Sequence, residues 1–132
     1  MTKLALLIVL LLVPLPVASA HPARSFDACI GNYPPEGLCG DTADYLVGDH
    51  PHIRATVAPA HADLRAALWR RAPHQDWVKL TTVAINEQGR MAYAWTPQPG
   101  DARIHHPYRF RFVLHGHGTS DIVRLWVFNA DF

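Results

Sequence analysis

The stretch Pro107-Tyr108-Arg109-Phe110-Arg111-Phe112-Val113-Leu114 decides the fold. Tyr108, Phe110, Phe112 and Leu114 recur at every second residue, with Arg109 and Arg111 between them. In an extended chain successive side chains point to opposite faces, so this pattern gives one greasy face and one cationic face. A helix would scatter the same four apolar residues around its circumference. The stretch therefore predicts a half-buried strand.

The sequence on either side repeats the signal. After Leu114, the run His115-Gly116-His117-Gly118-Thr119-Ser120 reads as a turn. Asp121 to Asn129 follows, with Val123, Leu125 and Val127 on one face. Before Pro107, Pro97 to Asp101 is a loop, and Arg90 to Thr96 places Met91, Tyr93 and Trp95 together. Asn86 to Gly89 is a hairpin turn whose glycine can take positive φ. Asp76 to Ile85 is rich in β-formers, and His52 to Ala58 alternates Ile53, Ala55 and Val57 against Arg54 and Thr56. Leu64 to Arg71 has helix-favouring composition. Its alternation and its short length before Pro73 favour a strand. A short strand, Asp44 to Val47, precedes these. The expectation is an all-β chain of about seven antiparallel strands packed as a two-sheet sandwich.

The start of the chain is different. Lys3 supplies a positive charge, Leu4 to Val17 is apolar, and Ala18-Ser19-Ala20 is a small-x-small site, which together read as a cleavable signal peptide over residues 1–20. The apolar run is shorter than the roughly 20 residues that span a bilayer. Export to the extracellular space is expected, with no membrane span after cleavage. The full chain carries 12 Lys+Arg and 11 Asp+Glu, and Lys3 leaves with the leader, so the remainder is balanced. A balanced chain has no general electrostatic pull on nucleic acid or anionic membrane. His21 to Gly48 is punctuated by Pro22, Gly31, Pro34, Pro35, Gly37 and Gly40, and reads as an irregular arm ahead of a domain over residues 49–132. Cys29 and Cys39 lie in that arm, and in an oxidising compartment a disulfide is the default for them.

The run Ala55-Thr56-Val57-Ala58-Pro59-Ala60-His61-Ala62 resembles the opening strand of bacterial secreted immunoglobulin-like (fibronectin-type-III-like) β-sandwich domains. So do Leu68-Trp69-Arg70-Arg71, Trp77-Val78-Lys79-Leu80, Gly89-Arg90, Trp95-Thr96-Pro97 and Gly100. Tyr108 to Phe112, Ser120 and Val123 to Val127 resemble the last hairpin of such domains, and the resemblance covers about His50 to Asn129. It implies an immunoglobulin-like sandwich with an accessory role, such as spacing, adhesion or presenting a binding face, and it brings no active site with it. The Cys pair precedes the strands, so it is not the inter-sheet bridge of antibody domains.

Nine histidines follow residue 20, clustered as His50 and His52, His105 and His106, and His115 and His117. Residues two apart on a strand point the same way, so His50 with His52, or His115 with His117, could offer two imidazoles to copper or zinc. Cleavage after Ala20 would expose His21, whose amine and ring form a chelate. At that one residue the chain resembles periplasmic copper carriers and copper polysaccharide monooxygenases. The competing reading is of turn and surface histidines. Trp69 and Trp126 are the candidates for a carbohydrate-stacking face, against the alternative that the tryptophans pack the core. There is no G-x-S-x-G, H-E-x-x-H, P-loop or dinucleotide motif. No residue is assigned a catalytic role, and Ser120, His117 and Asp121 read as ordinary turn residues. The expectation is a monomeric, non-catalytic secreted module whose partner is a protein or glycan at the cell surface.

Overall fold

In a computed structural model the described residues are 23–31 and 39–129. Among them there is no α-helix, and nine strands form two sheets. The strands are β1 (Ser25–Gly31), β2 (Thr42–Leu46), β3 (His52–Ala58), β4 (Arg65–Arg71), β5 (Trp77–Ala84), β6 (Arg90–Ala94), β7 (Arg103–Leu114), β8 (Gly118–Thr119) and β9 (Val123–Phe128). The smaller sheet has the order β1-β3-β6. The larger has the order β2-β9-β7-β4-β5, with β8 paired to β7.

Alternation in the sequence becomes the inside and outside of these sheets. Phe110, Phe112, Leu68, Leu125 and Val123 line the inner face of the larger sheet, each with at most trace exposure. Ile53, Val57, Ile30 and Met91 line the inner face of the smaller one. The two sets share a single apolar core. Trp95 closes one end of it, its ring 5.1 Å from Tyr108 and 5.2 Å from Phe110 between centroids. Tilted and edge-on aromatic pairs of this kind add to what burial alone contributes.

The stretch whose composition left helix and strand in competition, Leu64 to Arg71, is the strand β4, with Ala66 and Leu68 turned inward. A β-bulge on the β5 side lies between Leu68 and Trp69, where Leu80 is the extra residue of β5. The Asn86 to Gly89 turn forms as expected. The Asn86 side-chain oxygen accepts the Gln88 and Arg90 amides at 3.0 and 2.8 Å, and Gly89 takes φ 77°. Gly89 also has to be small. Its amide donates to the Asn86 carbonyl within the turn, its carbonyl accepts the Val57 amide of β3, and a Cβ there would collide with the Val57 carbonyl oxygen.

Two corrections concern the segment before His50. It is less irregular than its prolines and glycines suggest, because β1 lies in it ahead of β2, which overlaps the expected strand Asp44 to Val47. In β1, Phe26, Ala28 and Ile30 point inward on the same two-residue period, and the whole strand pairs with β3. The second correction is the strand count and sense. There are nine strands, and β2 runs parallel to β9. The chain crosses from the edge of the smaller sheet to the edge of the larger between β1 and β2. The Cys29–Cys39 disulfide and the Ile30–Gly40 bridge tie that crossing together. The described residues contain no helix long and apolar enough to cross a membrane.

Candidate functional site

Strand partners fix which side chains share a face. In β4 and β7, Leu68 pairs with Phe112 and Arg70 with Phe110 on the inside, so Trp69 with Arg111, and Arg71 with Arg109, lie outside. The next strand continues this, with Arg109 opposite Arg124 of β9. On the other side, the β5 bulge keeps Trp77 opposite Arg71 and Lys79 opposite Trp69. Trp126 of β9 stands opposite Asp44 of β2, on the same outer face.

The outer face of the larger sheet therefore holds Trp69, Trp77 and Trp126, all half-buried, among arginines. Trp77, Arg71, Arg109 and Arg124 form one transverse row across β5, β4, β7 and β9. At the usual strand spacing the row spans about 14 Å. The Arg111 guanidinium lies 4.3 Å from the centre of the Trp77 ring, reaching across β4 to do so. A cation over an aromatic face is held by the ring quadrupole. The fourth tryptophan, Trp95, belongs to the core instead. Sequence reasoning singled out Trp69 and Trp126. It named Trp77 and Trp95 with them but could not place either, and for Trp77 the bulge near the middle of β5 decides which way that residue faces.

The histidines divide between the two ends of the sandwich. His50 opens one end, its Nδ1 2.9 Å from the Thr96 hydroxyl oxygen, and His52 is half-buried at the start of β3. His115 and His117 lie in the turn after β7, His115 exposed and His117 half-buried. That turn sits at the opposite end of β3, since Ala23 bonds to the His117 carbonyl while Arg24 bonds to the Ala58 carbonyl. Seven residues of strand, about 20 Å, separate the first pair from the second. The structure instead pairs His117 with His61, ring centres 4.2 Å apart, and His74 with His106 at 4.4 Å. Among the described residues no group of three His, Cys, Asp or Glu stands together as metal ligands would. His21 lies outside the described residues. The His61–His117 contact was not legible beforehand, because the two residues come from loops on either side of four intervening strands and meet only when both loops reach the same end.

Ser120 illustrates how the turn after β7 is used. Its hydroxyl accepts the Phe112 amide and donates to the Asp121 carbonyl, both at 2.9 Å, and it is buried. A hydroxyl engaged twice with backbone holds the turn against the strand.

No family model matches this chain, and no curated protein is similar to it.

The electrostatics of the site follow from placement. Paired strand positions facing outward on the larger sheet carry Arg65, Arg71, Lys79, Arg109, Arg111 and Arg124, against the single acid Asp44. Arg65 bonds to the Thr82 hydroxyl and carbonyl, and Arg71 to the Gln75 carbonyl. No carboxylate among the described residues forms a salt bridge with the row Arg71, Arg109 and Arg124. A chain whose total charge is close to zero thus presents one strongly cationic face.

Proposed function

We propose that the protein is an exported, non-catalytic binding module of immunoglobulin-like build, which meets its ligand with the outer face of the larger sheet. The strand order supports the build. In that architecture the first, second and fifth strands share one sheet, and the third, sixth and seventh share the other. Here β1, β3 and β6 correspond to the first set and β4, β7 and β9 to the second, with β5 added at the edge beside β4. Tyr108 gives independent support. From the middle of β7 its hydroxyl donates back to the Asp101 carbonyl at 2.8 Å, which resembles the corner interaction of such domains. Phe110 then occupies the position where antibody domains carry their second cysteine, and its buried ring fills that space. The disulfide in the β1 region and the absence of a membrane-spanning helix among the described residues are compatible with export.

The observation that carries the binding role is the outward placement of three of the four tryptophans. Large aromatic surface is costly to leave half-hydrated on a sheet face, and exposed aromatic patches with a polar surround mark contact surfaces. The ligand on this reading is a glycan or a protein at the cell surface. Screening the oxidised protein on a glycan array, with Trp69→Ala and Trp126→Ala as controls, tests it. Loss of the recognised signals in both variants, with an unchanged circular dichroism spectrum, is the expected result. Identical signals from native protein and both variants would remove this face from the function.

A further inference from the structure

The arginine row is placed against the interest of the fold. Arg71, Arg109 and Arg124 stand directly opposite one another on three adjacent strands. Like charges in that relation destabilise a sheet. No acidic side chain among the described residues forms a salt bridge with them, although the chain has as many acidic residues as it has cations outside the leader segment. Most described acids sit elsewhere: Asp41, Asp49, Asp63, Asp76, Glu87 and Asp121 lie in loops and turns, Asp101 in a short 3-10 helix and Asp27 on β1, while Asp44 of β2 shares the outer face but stands opposite Trp126. Segregating the charges in this way builds a local positive field on a neutral molecule.

We infer that this face binds an acidic polysaccharide, with Arg71, Arg109 and Arg124 meeting its carboxylates or sulfates and Trp69, Trp77 and Trp126 stacking on its sugar rings. The inference rests on the binding reading above and names the ligand class for the same surface. A guanidinium offers a planar fork of donors that matches a carboxylate or sulfate with two parallel hydrogen bonds. Arg109 and Arg124 make no side-chain hydrogen bond to described residues, so their donors are available to a ligand. Aromatic rings beside them supply flat apolar surface for the faces of sugar rings. A polymer lying across the strands would meet Trp77, Arg71, Arg109 and Arg124 in succession.

Two other polyanions are less well served by this surface. Single-stranded nucleic acid is held in grooves that track its backbone, with bases stacked on projecting aromatics. Here the tryptophans are half-buried in a flat sheet face. Anionic bilayers recruit basic surfaces tipped with inserted apolar side chains, whereas the tryptophans of this face are half-buried and Trp77 lies against the Arg111 guanidinium. The disulfide also belongs to an oxidising compartment, where acidic polysaccharides of the cell surface are met.

Affinity gels or calorimetry with matched polymers test the inference. Polygalacturonate is compared with its methyl ester, and dextran sulfate with dextran, so that charge changes while the sugar stays the same. A dT oligonucleotide and phosphatidylglycerol vesicles serve as the other polyanions. The expected result is binding to polygalacturonate or dextran sulfate that weakens as salt rises and drops by about tenfold or more in an Arg109→Gln, Arg124→Gln double variant, as loss of charge-assisted contacts requires. The variant must keep the native circular dichroism spectrum and a thermal midpoint no lower than that of the native protein. Equal binding to the charged and neutral polymers, unchanged binding by the double variant, tighter binding to the oligonucleotide or vesicles, or no binding to either acidic polymer would each overturn the inference. A neutral glycan bound by native protein and lost in Trp69→Ala would overturn the acidic class alone and leave the binding module standing.

Discussion

The inner and outer faces of the larger sheet come from the same strands and differ at every second residue. Inside, Tyr108, Phe110 and Phe112 of β7 pack with Leu68 of β4 and Leu125 of β9. Outside, Arg109 and Arg111 of the same β7 face Arg71, Trp69 and Arg124 of those two neighbours. The inner residues satisfy one rule, which is to remove apolar surface from water and leave no void. The outer residues break a rule of equal generality, because three like charges stand in register. A sheet selected for stability alone would place glutamate or aspartate opposite at least one of those arginines. Stability therefore explains one face and leaves the other to be explained by what it touches.

The largest effect should come from the inside. Phe110 is fully buried and contacts the Trp95 ring edge-on. Phe110→Ala should destabilise the domain by about 3–5 kcal/mol, the range for emptying an aromatic site in a packed core. Urea unfolding followed by tryptophan fluorescence measures this. If the remaining folded protein still binds its ligand as the native protein does, the two faces are separable. A loss below about 1 kcal/mol would mean that the site collapses around the missing ring, and the core would be softer than its burial suggests.

Tyr108 comes next, because it belongs to both the core and the corner. Removing its hydroxyl in Tyr108→Phe should cost about 1 kcal/mol, the ordinary net contribution of one hydrogen bond, since Asp101 then loses its partner. The same group gives a pH dependence. Burial raises the Tyr108 pKa above its ordinary 10.0, the nearby Asp101 carboxylate adds to the rise, and Tyr45 is raised in the same direction by burial and by Asp49. Above the ordinary tyrosine value the unfolded chain gives up protons that the folded chain still holds. The stabilisation is thus complete below about pH 10 and is lost as pH climbs through the raised values. Denaturant midpoints measured from pH 8 to 11.5 should fall at the alkaline end, and fall less steeply in Tyr108→Phe. An unchanged slope in that variant would assign the alkaline loss to Tyr45 alone.

Most of the inner face was legible in the sequence, and little of the outer face was. Alternation named β3, β4, β7 and β9 and chose strand over helix for Arg65–Arg71, because period is a property of neighbouring residues. It also ran through Phe26, Ala28 and Ile30, where the surrounding prolines, glycines and cysteines drew attention to loops and hid β1. The parallel pairing of β2 with β9 was not legible, since strand partners far apart in sequence leave no local mark. The outer face needed such pairings. Arg71, Arg109 and Arg124 become a row only once β4, β7 and β9 are aligned, and Trp77 joins them only through the bulge at Leu80. Net charge concealed the row entirely, because most of the compensating acids lie away from it. The histidines show the same limit in reverse. Spacing put His50 with His52 and His115 with His117, while the fold put His61 against His117 and left the two clusters at opposite ends.

The smallest effect is the most discriminating. Arg109 stands between Arg71 and Arg124, each directly opposite it on a neighbouring strand. Arg109→Gln keeps most of the side-chain stem and removes the central charge. If the row exists for a ligand, the free protein should lose nothing and gain a little, on the order of 0.2–1 kcal/mol from relieved cross-strand repulsion. The gain should shrink as salt is added, because neighbouring strands lie within a Debye length of about 8 Å at physiological ionic strength. Differential scanning calorimetry at low and high salt reads both quantities. Destabilisation by more than about 1 kcal/mol at either salt concentration would mean that the arginine stems pack the tryptophans as structure. The outer face would then obey the same rule as the inner one, and the reason for assigning it a ligand would be gone. A small gain at low salt that vanishes at high salt has no such reading, since packing of the stems does not respond to ionic strength.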